Sequence, residues 1–163
     1  MVGEVDVAKA DITTGGVMRS IRVEKFFDFE PTMVWKIVSD WSGTDKWIPG
    51  VGSLSVTGTS VGSTRSADLS DDTGFPGRIT ERLEFFSQEN MKFKYSISAD
   101  NPLPLKNYLA EISVLERDGG CVAIWSSKWE EDGIDGKKLE DMLRELYRIS
   151  LNNVGELIKN SSL

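Results

Sequence analysis

Three side chains in the middle of the chain have the types and setting to do chemistry: Arg65, Glu81 and Tyr108. Each sits in a short run of alternating apolar and polar residues, and a period of two sends alternate side chains to opposite faces of a strand. If Ile79 and Leu83 point inward, Glu81 does too, while Arg82 and Glu84 face water. Arg65 precedes Ala67 and Leu69 at the same period, and Tyr108 shares its parity with Ala110 and Ile112. A carboxylate buried without a partner is costly. Glu81 must therefore pair with Arg65, bond to Tyr108 and water, or hold its proton above the usual carboxyl range. Two arrangements satisfy this. In one, Arg65 and Glu81 form an ion pair under the sheet, capped by Tyr108. In the other, the three form the polar end of a ligand cavity. If that cavity were an active site, Glu81 would be the general acid or base and Tyr108 a partner donor. Arg65 would be the charge that holds a polarised substrate oxygen.

What the chain lacks narrows the chemistry further. It has no His, so neither a Ser-His-Asp nor a Cys-His relay can be built, and imidazole-based metal sites are excluded. Cys121 is the one cysteine, which rules out an intrachain disulfide and a structural zinc site and fits a reducing compartment, the cytoplasm. Asp68-Leu69-Ser70-Asp71-Asp72 lacks the spacing and closing Glu of a calcium loop and reads as a solvated turn. No metal and no cofactor are expected. A net charge of −7 opposes nucleic acid and anionic membrane surfaces as partners, and no apolar run is long enough to insert stably in a bilayer.

The elements that must position these residues are legible in order. Val17, Ile21, Val23, Phe27 and Phe29 mark a first half-buried strand. Pro31 sits where helices begin and opens an apolar stripe of Met33, Val34, Ile37 and Val38. Trp41, Trp47, Ile48 and Pro49 suggest a second short helical turn folding back on the sheet, its tryptophans serving as core plugs. Short strands follow over Ser53–Thr57, Ser63–Leu69, Arg78–Phe86, Lys92–Ser98, Asn107–Leu115 and Cys121–Trp129, with Asp118-Gly119 as a hairpin turn. Asp132-Gly133 ends the sheet. Lys137–Lys159 is then one long amphipathic helix, with Leu139, Met142, Leu143, Leu146, Ile149, Val154 and Leu157 on the apolar side. Met1–Gly16 has no signal-peptide core and reads as a flexible leader before a single domain over 17–163. The fold class is α+β: a seven-stranded antiparallel sheet wrapped around a long C-terminal helix, with two short helices.

This layout, with Thr64-Arg65, Thr80-Glu81-Arg82-Leu83-Glu84 and Leu103-Pro104-Leu105-Lys106-Asn107-Tyr108, resembles the START/polyketide-cyclase superfamily, the helix-grip or birch-allergen-like fold. Two plant branches can be compared by residue. Thr73-Gly74-Phe75-Pro76-Gly77 and Leu103-Pro104-Leu105 look like the gate and latch of abscisic-acid receptors. The latch here lacks His-Arg, however, and the lysine those receptors use for the hormone carboxylate falls on Gly52. Arg65, Glu81 and Tyr108 match the inward residues of lachrymatory-factor synthase, but the receptors, which are not enzymes, carry the same three. Bacterial polyketide cyclase-like proteins share the Pro102-Leu103-Pro104 segment before the Tyr strand.

The resemblance implies a binding or carrier protein for a small hydrophobic molecule such as a lipid, a polyketide-like compound or a terpenoid. The expected walls are Ala67, Leu69, Ile79, Leu83, Tyr95, Ile97, Ala110, Trp125, Met142 and Leu146. Arg65, Glu81, Tyr108 and Ser127 make the polar end, and Phe75 and Leu103 cover the mouth. Ser150 falls near the helix stripe, either as a polar contact in the cavity or bonded to its own backbone. One alternative is a cofactor-independent cavity enzyme of cyclase, dehydratase, isomerase or lyase type. Another is an interaction module with a protein partner at the Phe75/Leu103 gate. The expected assembly is a monomer or weak homodimer.

Overall fold

The structure, a computed structural model, describes residues 17–131 and 135–161; the N-terminal leader and the Asp132-Gly133 turn lie outside the described residues. The strands are β1 (Met18–Phe27), β2 (Ser55–Val56), β3 (Thr64–Leu69), β4 (Gly77–Ser87), β5 (Lys92–Ala99), β6 (Leu105–Arg117) and β7 (Gly120–Glu131). The helices are α1 (Pro31–Val38) and α2 (Gly136–Ser161), and single 3-10 turns lie at Thr44–Lys46, before β2, and at Asp71–Thr73, between β3 and β4. All seven strands form one antiparallel sheet in the order β1-β7-β6-β5-β4-β3-β2. This is the helix-grip α+β fold.

Local chemistry explains the elements. Glu30 is extended and Pro31 takes the first helical position of α1, where a missing N–H costs nothing. Asp118 and Gly119 both have positive φ (51° and 80°), the geometry a two-residue hairpin turn needs, and Arg117 pairs with Gly120 across it. Asp135 caps α2, its Oδ1 accepting from the Lys137 amide at 3.1 Å. Arg19 then ties the start of α2 to the sheet through Glu131 (2.5 Å) and Glu140 (3.0 Å). Two expected strands are shorter than the sequence suggests: β1 stops at Phe27 and β2 has only two residues.

The concave face of the sheet holds the core. Ile21 and Phe27 of β1, Phe93 and Tyr95 of β5, and Cys121, Ala123, Trp125 and Trp129 of β7 face α2, which buries Leu139, Leu143, Tyr147, Leu151, Val154 and Ile158. Gly155 lets α2 approach the Phe27 ring, which would lie only 3.4 Å from a Cβ at that position. Val34, Trp35, Val38, Trp41 and Trp47 close one end as plugs. In β6 the inward parity switches: Leu105 and Tyr108 are both buried because the register shifts between Lys106 and Leu109, with Asn107 at φ 54°. Among the described residues, no helix is long and apolar enough to cross a membrane.

Candidate functional site

Arg65 and Glu81 are directly paired positions of β3 and β4. The Arg65 Nε donates to Glu81 Oε1 at 2.7 Å, and a second guanidinium nitrogen donates to the Trp41 carbonyl at 3.2 Å. The guanidinium lies 3.9 Å over the Trp41 ring and 5.1 Å from the Tyr95 ring centre, so two aromatic faces shield it from water. Of the three ways to accommodate an inward Glu81, the ion pair is the one found.

Tyr108 does not cap that pair. Its hydroxyl makes a short hydrogen bond with Tyr147 of α2 and lies 3.5 Å from the Tyr95 hydroxyl. Tyr147 in turn donates to Ser127 Oγ at 2.9 Å, and the Trp125 Nε1–H donates to the Tyr95 oxygen at 3.1 Å. The Trp125 and Tyr147 rings stack face to face, 3.8 Å apart and 2° from parallel. Tyr95, Tyr108 and Tyr147 are all three tyrosines of the chain, gathered from three elements. Burial pushes each phenol well above its usual pKa, with the neighbouring tyrosines adding to the effect at Tyr108. The cluster is therefore a set of neutral hydroxyls, able to donate and accept but not to ionise near neutral pH.

Between these groups and α2 lies a cavity of about 360 Å³, within the usual range for small-molecule sites. Arg65, Glu81 and Tyr108 all reach its wall, with Ala67, Leu69, Ile79, Tyr95, Ile97, Trp125, Met142 and Leu146. Leu103 lines it too, held in place by Asn101, whose Oδ1 accepts from the Leu103 amide and whose Nδ2 donates to the Leu105 carbonyl, each at 2.9 Å. A larger depression of about 630 Å³ touches Arg22, Lys94, Glu111, Lys128 and Arg144. Its charged, open lining makes it a poor enclosure for an apolar molecule.

Five expected site residues lie off the cavity wall. Leu83 and Ala110 share a cross-strand row with Tyr95 and Ser127, and there the large Tyr95 ring reaches the cavity while Leu83 and Ala110 are closed off at 1% exposure. Ser127 spends its hydroxyl on Tyr147 behind the wall. Ser150 is fully buried, and its Oγ makes neither the cavity contact nor the backbone bond expected of it. Phe75 is half-buried beside the mouth. The Thr73 hydroxyl accepts from the Phe75 amide at 3.1 Å and donates to the Ser70 carbonyl at 2.8 Å, and the turn so fixed presents Asp72 and Thr73 to the cavity instead.

Sequence reasoning missed Tyr147, Leu143, Leu105 and the segment from Ile48 to Leu54, all on or beside the wall. The signal for Tyr147 was available: it lies four residues after Leu143 and four before Leu151 on the buried stripe. In the Ile48–Leu54 segment the sequence offers a helical turn at Ile48-Pro49 and a strand from Ser53, neither of which marks a wall, and the strand begins only at Ser55. The segment becomes a wall because Gly50 and Gly52 bond to the end of β3, through Ser70 (2.9 Å) and Asp68 (3.1 Å).

Comparison with known proteins agrees with this architecture. The protein XoxI from Bacillus cereus superposes with a TM-score of 0.74 at 21% identity, over 90% of this chain and 99% of that one. An uncharacterised protein from Bacillus thuringiensis gives 0.71 at 21%, over 87% and 98% of the two chains. Ara h 8.0201 gives 0.74 at 14%, over 88% and 99%. At such identities these likenesses concern the fold alone. No curated protein matches the sequence. The sequence pattern of one family, described as polyketide cyclase / dehydrase and lipid transport, runs through residues 18–158, from the first residue of β1 almost to the end of α2. A match that spans all the described strands and most of the gripping helix makes the chain a member of that polyketide cyclase / dehydrase and lipid transport family.

Proposed function

We propose that the protein binds and carries a small hydrophobic molecule, of lipid, polyketide-like or terpenoid type, in the cavity between sheet and helix. One observation carries this reading: the walls are mainly apolar, and the buried polar groups among them are already matched within the protein. Arg65 is matched by Glu81, and the tyrosine hydroxyls by each other, Trp125 and Ser127. A cavity whose polar groups are satisfied without a ligand suits reversible occupancy, since entry and exit leave no buried group stranded. The buried, lone Cys121 fits a reducing compartment, and we place this activity in the cytoplasm.

The enzyme reading retains one specific support. Glu81 lines the cavity with its side chain one-fifth exposed, so its carboxylate can accept a further hydrogen bond from a substrate. Native mass spectrometry of the purified protein tests the carrier reading directly. The expected result is an adduct of one small hydrophobic molecule per chain, released unchanged by organic solvent. Release of a product that differs from the molecule supplied would replace the carrier with the enzyme. A chain that retains and takes up nothing would remove both.

A further inference from the structure

The charges on the cavity wall are unequal. Among the described residues one cation lines it, Arg65, which is 4% exposed and already engaged by Glu81, the Trp41 carbonyl and two aromatic faces. Three carboxylates line the same space: Glu81 inside, Asp72 on the turn between β3 and β4, and Glu145 on α2. Asp72 and Glu145 are exposed and come from different elements, so acids flank the space from two directions. Arg148 pairs with Glu145 and holds its carboxyl below the usual range, but Arg148 itself does not line the cavity and is more than half exposed.

An entering carboxylate would shed its water beside these acids and find the single guanidinium already neutralised. Nothing on the wall repays that desolvation. An uncharged hydroxyl meets the opposite situation. Glu81 gives one oxygen to Arg65 and keeps acceptor capacity for the alcohol proton. A volume of about 360 Å³ lies at the small end of the usual range for small-molecule sites, which favours a compact ligand.

Resting on the binding function proposed above, we infer that the cavity selects small apolar molecules carrying an uncharged or cationic hydrogen-bond donor, and rejects carboxylates of the same skeleton. Glu81 is the group that reads the donor, and Asp72 and Glu145 repel the anion.

The test uses three compounds of matched size, naphthalenemethanol, naphthalenemethylamine and naphthoate, each competing at neutral pH with the uncharged dye Nile red on the full chain. The alcohol and the amine should each displace the dye about tenfold better than naphthoate, or more. In the doubly substituted Asp72→Asn, Glu145→Gln protein, altered only at exposed positions, the gap between alcohol and naphthoate should narrow severalfold. In Glu81→Gln the amine should lose more affinity than naphthoate does. Naphthoate binding as tightly as the alcohol to the unaltered protein, or an unchanged gap in the double variant, overturns the inference while leaving the binding function standing. Failure of the dye and all three compounds to bind overturns the binding function, and this inference with it.

Discussion

The gathering of every tyrosine into one buried cluster makes alkaline pH a specific perturbation of the site. Tyr95, Tyr108 and Tyr147 are at most 6% exposed, and each has a folded-state pKa raised above the unfolded value of about 10. Below pH 10 both states keep their phenolic protons, and the stabilisation is fully present. Above it the unfolded chain releases protons that the folded chain retains, so stability falls as pH rises. Each tyrosine contributes a slope of about 1.4 kcal/mol per pH unit, and the three together about 4 kcal/mol per unit. A domain of ordinary stability, about 5–15 kcal/mol, therefore unfolds between about pH 11 and 14. The assay follows tyrosinate by its ultraviolet absorbance and structure by far-ultraviolet circular dichroism on the same samples. Tyrosinate should appear in step with the loss of structure, as one cooperative event. In Tyr147→Phe the slope of stability against pH should fall by about a third. A gradual tyrosinate titration centred near pH 10 with the dichroism intact would refute the reasoning, because it would mean the phenols ionise in place.

Other expectations follow from the same geometry. Arg65→Met strands the Glu81 carboxylate and should cost about 3 kcal/mol in urea unfolding, while adding Glu81→Leu should recover most of it; a double variant no more stable than the single would show that the pair itself is not what matters. Tyr108→Phe and Tyr147→Phe should each cost about 1–2 kcal/mol, and the pair should fall short of additivity by at least about 0.5 kcal/mol. If Glu81 is a general acid or base, Glu81→Gln lowers turnover by roughly 10²–10⁴-fold with affinity nearly intact. If the protein only binds, the same change shifts affinity or stability by about 1–3 kcal/mol and no product forms with either version. Asn107→Val, which forces a branched residue to positive φ, should destabilise by about 1–2 kcal/mol where Asn107→Gly does not, and equal thermal stability of the two would refute that account of the β6 bulge.

The sequence was a good guide wherever a face repeats regularly. Period-two alternation grouped Glu81 with Ile79, Tyr95 with Ile97 and Tyr108 with Ala110, the resemblance turned those faces toward a cavity, and Glu81, Tyr95, Ile97 and Tyr108 do line it. It failed where the backbone breaks its own period. Leu105 and Tyr108 have opposite parity yet both point inward, because Asn107 adds a residue that no apolar pattern marks. On α2, aliphatic residues define the stripe; Ile149 stands at its edge, 37% exposed and on the cavity wall, while Tyr147, which the aliphatic pattern leaves out, is 1% exposed. A tyrosine in a stripe looks like a boundary residue until Ser127 and Tyr108, distant in sequence, supply its hydroxyl with partners. The Ile48–Leu54 wall was invisible for a similar reason. Its position depends on backbone bonds to β3 made at Gly50 and Gly52, which leave no apolar pattern in the sequence.

The neighbour relation between β1 and β7 has a consequence for how the chain is made. Met18 pairs with Glu130 and Phe27 with Cys121, so the earliest-made of the described strands is completed by the latest. With close to a hundred residues between them, that wait is roughly 5–20 s at typical synthesis rates. Every other strand finds its partner in the strand made just before or after it, and β2 to β7 can zip up by successive local contacts. Ile21 and Phe27, both destined for the core, spend this interval with no edge to join. The step that closes the sheet is thus also the one with the longest loop to close, the kind of non-local pairing that slows folding.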